Sequence, residues 1–142
     1  MKLFSRLAGL CVAMMAVSAA PASAQSSITG NWLTEDNRAI IAIGPCGSDI
    51  CGRIARILVD VEEGQRDVNN PDPNLRDRPI EGVRVLTGFS RDGGQYRHGQ
   101  IYDPENGRSY NARLRLNRNG TLRVTGCVLG GIICQSQTWT RR

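Results

Sequence analysis

Residues 103–127 read DPENGRSYNARLRLNRNGTLRVTGC, and their reading decides the fold. Pro104 with Asn106-Gly107 marks one tight turn, and Arg118-Asn119-Gly120 marks another. Between the turns, residues 108–117 alternate. Tyr110, Ala112, Leu114 and Leu116 fall on one face, Arg113 and Arg115 on the other. Side chains of a strand point to opposite faces in turn, so this is a half-buried β-strand. Residues 121–127 repeat the pattern, with Leu122 and Val124 inward and Arg123 outward.

The same grammar extends in both directions. Upstream lie 95–102 and 83–89, in which Val83, Val85, Thr87 and Phe89 share one face. Further upstream lie 50–59, the isoleucine-rich 38–44, and 28–34. Downstream, 132–140 closes the chain. Turns fall at 35–37, 45–49, 90–94 and 128–131. About eight strands joined mostly by short turns, with no helical periodicity, define an all-β domain. Consecutive hairpins favour an up-and-down antiparallel β-barrel, which removes exposed sheet edges. A two-sheet sandwich is the alternative. An eight-stranded barrel encloses room for side chains or one small ligand.

One stretch breaks the grammar. Residues 67–82, DVNNPDPNLRDRPIEG, hold three of the six prolines and have no strand or helix period. Such a segment inside a small domain is a functional lid or a packed Ω-loop. Its prolines bias the residues before them toward extended backbone, which favours a rigid cap over a flexible lid. Asp67, Asn70 and Asp72 suit hydrogen bonds to loop backbone. The calcium-loop pattern fails, with Pro71, Asp72 and Arg78 at its fifth, sixth and twelfth positions, and no metal is expected. Arg76 and Arg78 are expected to pair with Asp72 or Asp77. Alternatively Arg78 faces an anionic ligand, since its guanidinium suits carboxylate and phosphate.

The first residues are a separate matter. Lys2 and Arg6 precede the apolar run 7–17, and Ala22-Ser23-Ala24 follows. This is the pattern of a signal peptide cleaved after Ala24, leaving 25–142 as a single domain. The run is too short to span a bilayer. The formal charge of +5 includes Lys2 and Arg6; every cation after them is arginine. Without lysine in the remaining chain, no side-chain amine is available for Schiff-base chemistry. Cys46, Cys51, Cys127 and Cys134 remain, an even number that implies two disulfides in an exported protein. Three pairings are possible. In an up-and-down barrel the turns after the second and seventh strands lie at opposite ends, which favours 46–51 with 127–134.

Gly30-Asn31-Trp32 on the first strand and Arg141 after Trp139 on the last resemble the lipocalin-type calycin barrels. That resemblance implies a structural pair in which Arg141 packs across Trp32 and closes the barrel base. A guanidinium on an indole face is a favourable cation–π contact. Further blocks cover nearly all of the chain after the leader. They are Ile50-Cys51-Gly52-Arg53-Ile54, 67–73, Leu75-Arg76, Arg78-Pro79-Ile80, Gly82, Ile101-Tyr102-Asp103-Pro104, Gly107, Tyr110, Gly126-Cys127 and 137–141. Together they resemble the bacterial family labelled domain of unknown function 2147. The resemblance implies a secreted, lipocalin-like barrel without an established activity. Over 95–99, where the family carries a tryptophan, this chain has Tyr96 and His98.

Catalysis is hard to build from these residues. His98 is the one histidine available as a base. Two disulfides would leave no thiol nucleophile, and no phosphate-binding glycine motif appears. No cofactor is expected. Carboxylates converging from Asp67, Asp72 and Asp103 are the remote route to an envelope hydrolase. The outward stripe Arg113, Arg115, Arg118 and Arg123 reads as a solvated face, and nucleic acid is not an expected partner. The aromatic set is the better pointer. Tyr102, Tyr110 and Trp139, with Arg78, are the candidate ligand-binding residues, placed to line a small apolar pocket with polar handles. The expected function is therefore that of an exported periplasmic or extracellular module binding a small, partly apolar ligand. The alternative is an envelope interaction or inhibitor protein presenting 67–82 to a protein partner.

Overall fold

The alternating runs become eight strands. They are β1 (Gly30–Leu33), β2 (Ala39–Cys46), β3 (Asp49–Ile57), β4 (Arg84–Asp92), β5 (Gln95–Asp103), β6 (Arg108–Leu116), β7 (Leu122–Val128) and β8 (Ile133–Arg141). In the computed structural model each pairs with its sequence neighbours, and β1 closes on β8 to form a barrel. The structure describes residues 27–59 and 65–142; the leader expected over 1–24 lies outside them. Two short 3-10 turns, Pro73–Leu75 and Leu129–Gly131, supply the helical residues of the described chain.

The β6–β7 hairpin has the register its sequence implies. Leu114 lies opposite Val124 and Leu116 opposite Leu122 on the inner face. β4 departs from expectation. Val85, Leu86 and Phe89 are buried, whereas Thr87 is exposed. Against β3 the register slips twice, between Arg84 and Leu86 and again between Leu86 and Phe89, so β4 carries an extra residue at each step and Leu86 rather than Thr87 turns inward; Gly88, with φ 73°, sits within the second slip. Gly99 is required beside this slip. A Cβ there would lie 2.5 Å from the Phe89 ring, so the ring packs directly on the β5 backbone.

Up-and-down order gives the barrel two unlike ends. The chain termini and the β2–β3, β4–β5 and β6–β7 turns share the closed end. Here Trp32 is fully buried, and its indole nitrogen donates to the Ile28 carbonyl at 2.8 Å. The Arg141 guanidinium lies 4.3 Å from the Trp32 ring. It donates to the carbonyls of Thr29 and Ser27 at 3.0 and 2.9 Å. Gly30 has φ +134°, and a Cβ there would come within 2.8 Å of the Arg141 guanidinium. The glycine of the Gly-x-Trp pattern is thus the space through which the arginine passes.

The other turns and the 58–83 connection share the opposite end, the mouth. The disulfides are local, Cys46–Cys51 at the closed end and Cys127–Cys134 at the mouth, with Cα separations of 5.8 and 4.1 Å.

Candidate ligand-binding site

A cavity of about 860 Å³ opens at the mouth. Its walls are the inward positions of the strands. Ile41, Ile54, Val85, Ile101, Val124 and Trp139 supply the apolar surface. Gly126 helps leave the space empty. A Cβ there would only touch Ile101 and Tyr110 at 3.5 and 3.7 Å, so the absent side chain is volume given to the cavity. The volume falls within the roughly 300–1,000 Å³ usual for small-molecule sites.

The lining is mixed, and its charged members, among them Asp36, Arg38, Arg66, Asp103, Glu105 and Arg108, come from the turns, the long connection and the adjoining strand ends. Tyr110 is half-buried, and its hydroxyl accepts from the Asn106 amide at 2.9 Å, leaving its own proton to donate. Gln135 and Gln137 of β8, four and two residues before Trp139 and so on its face of the strand, also line the cavity while remaining exposed at its mouth. The Gln137 side-chain oxygen accepts from the Trp139 indole at 2.9 Å, which orients its amide nitrogen. Charges gather at the rim. Arg38 at the start of β2 pairs with Glu105 of the β5–β6 turn at 3.0 Å. Strand order puts these two elements on opposite sides of the barrel, so the ion pair spans the mouth.

The long loop is fastened beside that rim. Its ends pair with each other, through Asp67 N–H to the Arg78 carbonyl at 3.1 Å and Ile80 N–H to the Gln65 carbonyl at 3.0 Å. Asp67 lies within, fully buried. Its carboxylate accepts from the Tyr102 hydroxyl at 2.6 Å, the Asn70 amide at 2.8 Å and the Arg78 guanidinium at 2.9 Å. Burial alone would raise the Asp67 pKa. Hydrogen bonds from Tyr102, Asn70 and Arg78, with the Arg78 charge, outweigh it and hold the carboxyl below its ordinary value. Tyr102 moves the other way, pushed up to about 12 by burial first, then by the hydrogen bond to Asp67 and its charge.

Further contacts carry the fastening into the barrel wall. The Asn69 amide donates to the Glu105 carbonyl at 2.9 Å. Gly107 leaves room for the loop, since a Cβ there would collide with the Asn69 carbonyl at 1.8 Å. Asn70 accepts from Asp72 N–H, and Asp72 caps the 3-10 turn by accepting from Asn74 N–H at 2.9 Å.

Of the residues singled out in the sequence, Tyr110 and Trp139 line the cavity, and Tyr102 forms its loop-side wall with its hydroxyl turned to Asp67. Arg78 is not among the lining residues. Its partner is Asp67, at 2.8 Å, rather than the expected Asp72 or Asp77. Arg76 donates to the Asn70 carbonyl instead of pairing with an acid. Trp32 and Arg141 lie at the other end. Arg113, Arg115 and Arg123 are exposed, with Arg115 directly opposite Arg123. His98 is exposed, its ring 4.0 Å from Asp92. Among the described residues, no three His, Cys, Asp or Glu side chains converge as a metal site would require. The glutamines of β8 were missed. Counting back in twos from Trp139 would have found them.

An eight-stranded closed barrel with a cavity at its mouth and an arginine-on-tryptophan base defines a lipocalin-like fold. The chain belongs to the family described as uncharacterized protein conserved in bacteria (DUF2147), whose model matches residues 30–141. Among solved structures it is similar to protein HP1028 of Helicobacter pylori, described as belonging to the lipocalin family. The identity is 24%, the TM-score is 0.73, and the match covers 82% of this chain and 83% of that one. At that identity the likeness shows the fold. No curated protein matches the chain. No helix among the described residues is long and apolar enough to cross a membrane.

Proposed function

We propose that the protein is an exported binding module that holds a small, partly apolar ligand in the barrel. The observation that carries this reading is the cavity of about 860 Å³, apolar in its walls and supplied with uncharged hydrogen-bonding groups. Tyr110, Gln135 and Gln137 offer donors and acceptors without formal charge. The ligand chemistry that fits is an apolar body carrying a neutral polar group, packed against Trp139. Tyr102 serves as wall, and Arg78 acts through the loop it fastens. Two disulfides and the leader pattern over 1–24 support export to an oxidising compartment, the periplasm or beyond.

Native mass spectrometry after mild purification tests the reading. A bound small-molecule mass, released on denaturation, is the expected result. Protein free of any adduct that also fails to take up an apolar fluorescent probe would overturn it.

A further inference from the structure

The barrel wall has an incomplete seam. β8 pairs with β7 along most of its length, from Ile133 opposite Val128 to Trp139 opposite Leu122. On its other side it pairs with β1 only at Thr140 and Arg141, because β1 ends at Leu33. The backbone direction on β8 follows from two hydrogen bonds. Thr138 N–H donates to the Glu35 carboxylate and Arg142 N–H to the Asn31 carbonyl, both away from β7. Residues two apart on a strand turn their N–H and C=O to the same side. Ser136 and Cys134 therefore present theirs to the seam as well. The 4.1 Å Cα separation of Cys127 and Cys134 agrees, being the short spacing of a pair without mutual backbone hydrogen bonds. Both Cys134 and Ser136 are exposed, and no described residue bonds their outward backbone groups.

This edge lacks the usual protections. Native sheet edges are charged, bulged, proline-bearing or covered. From Val128 to Gln137 the chain carries no charge and no proline. Leu129, Ile132 and Ile133 beside it are 68%, 84% and 53% exposed. The seam also borders the site, since Gln135, Ser136 and Gln137 line the cavity.

We propose that the β8 edges of two copies pair antiparallel about a two-fold axis at Gln135. The result is a homodimer in which each cavity is closed along its seam by the partner's strand. A second copy can satisfy these free groups. In that register Cys134 faces Ser136 of the partner subunit, and the two exchange both backbone hydrogen bonds; the axis repeats the exchange on its other side. The neutral segment meets itself without like-charge repulsion, and the apolar hairpin tip is shielded in the same step.

Light scattering on the purified protein across a concentration series should give the mass of two chains at the top and of one on dilution. Gln135→Cys should cross-link into a covalent dimer on oxidation, because residues facing each other at the axis sit at disulfide distance. Gln137→Cys should not, since its two copies lie more than about 13 Å apart along the strands. Ser136→Pro deletes the outward N–H and keeps the backbone ladder to β7, losing there only the hydroxyl contact with Thr125 at 2.8 Å, which Ser136→Ala removes alone as the control; the proline variant should weaken the dimer at least tenfold relative to Ser136→Ala with the far-UV spectrum unchanged. Ile132→Asp, at the exposed tip, should weaken it in the same direction with no question of misfolding. A single-chain mass at every concentration would overturn the proposal, and a peptide recovered on such a monomer would assign the edge to a different strand. Equal cross-linking through either cysteine position would also overturn it.

Discussion

The two ends of this barrel solve opposite problems with the same strands. At the closed end, Trp32 lies within a packed cluster, and Arg141 seals it from outside through a ring contact and two carbonyls. At the mouth, the interior is left open, and order is kept instead by a buried carboxylate in the loop wall. The closed end is held by area removed from water and by dispersion, which tolerate no loss of volume. The mouth is held by directional polar contacts outside the cavity, so rigidity there does not require filling the space. A small barrel can thus keep one half hollow because its cap is stabilised from the side.

The comparison breaks most visibly at the closed end. Trp32→Ala removes the largest fully buried side chain and leaves Arg141 without its ring. A loss of about 3–5 kcal/mol is expected, read by chemical denaturation. Ligand uptake by the fraction still folded should be unchanged. If uptake falls in step with stability, the two ends are not independent.

Asp67→Asn attacks the mouth. It removes the charge that Arg78 faces and turns one acceptor into a donor aimed at groups that already donate. The expected cost is about 2–3 kcal/mol. The pH dependence identifies the cause. The Asp67 pKa is lowered on folding, so its stabilisation is present above about pH 4 and is lost as pH falls through the folded value. Tyr102 is raised to about 12, so its contribution is present below about pH 10 and is lost as pH rises from there through 12. The stability difference between wild type and Asp67→Asn should therefore be flat at neutral pH and shrink at both extremes. A difference that does not change down to pH 2 would dissociate Asp67 from the fastening.

Gly126→Leu sharpens the contrast from within. The new side chain enters the cavity between Ile101 and Tyr110, where a Cβ meets only ordinary contacts. Affinity for an apolar fluorescent probe should drop at least tenfold, while the thermal midpoint moves by less than in the two preceding variants. Undiminished probe binding would place the ligand outside the barrel.

Much of this was legible in the chain, and the rest was hidden for physical reasons. Alternation at 108–117 and 121–127 announced strands because a half-buried strand must present unlike faces. The local disulfides followed from strand order, and the closing pair Trp32–Arg141 from the resemblance to calycin barrels. β4 was misread at Thr87 because its register against β3 slips on both sides of Leu86, a property of the pairing that no single-strand period records. The partner of Arg78 was misassigned because Asp67 is eleven residues away, brought near only when the loop ends pair. The cavity was undecided because emptiness depends on the sum of side chains on all eight walls. Gly126 in place of a larger residue is one letter in such a sum.

The smallest expected effect concerns the strap across the mouth. Arg38 and Glu105 are both largely exposed, so their pair at 3.0 Å contributes less than about 1 kcal/mol to folding and is weakened by salt. Its consequence should be kinetic. A contact joining opposite sides of the opening must part, or be skirted, when a ligand passes. Glu105→Ala should therefore leave the thermal midpoint within about a degree of wild type. It should speed both association and release of the probe in stopped-flow measurements, by similar factors, with the equilibrium affinity unchanged. High salt should bring wild type toward the variant, since exposed ion pairs are screened. Rates that do not respond to Glu105→Ala or to salt would mean that ligand enters away from this ion pair.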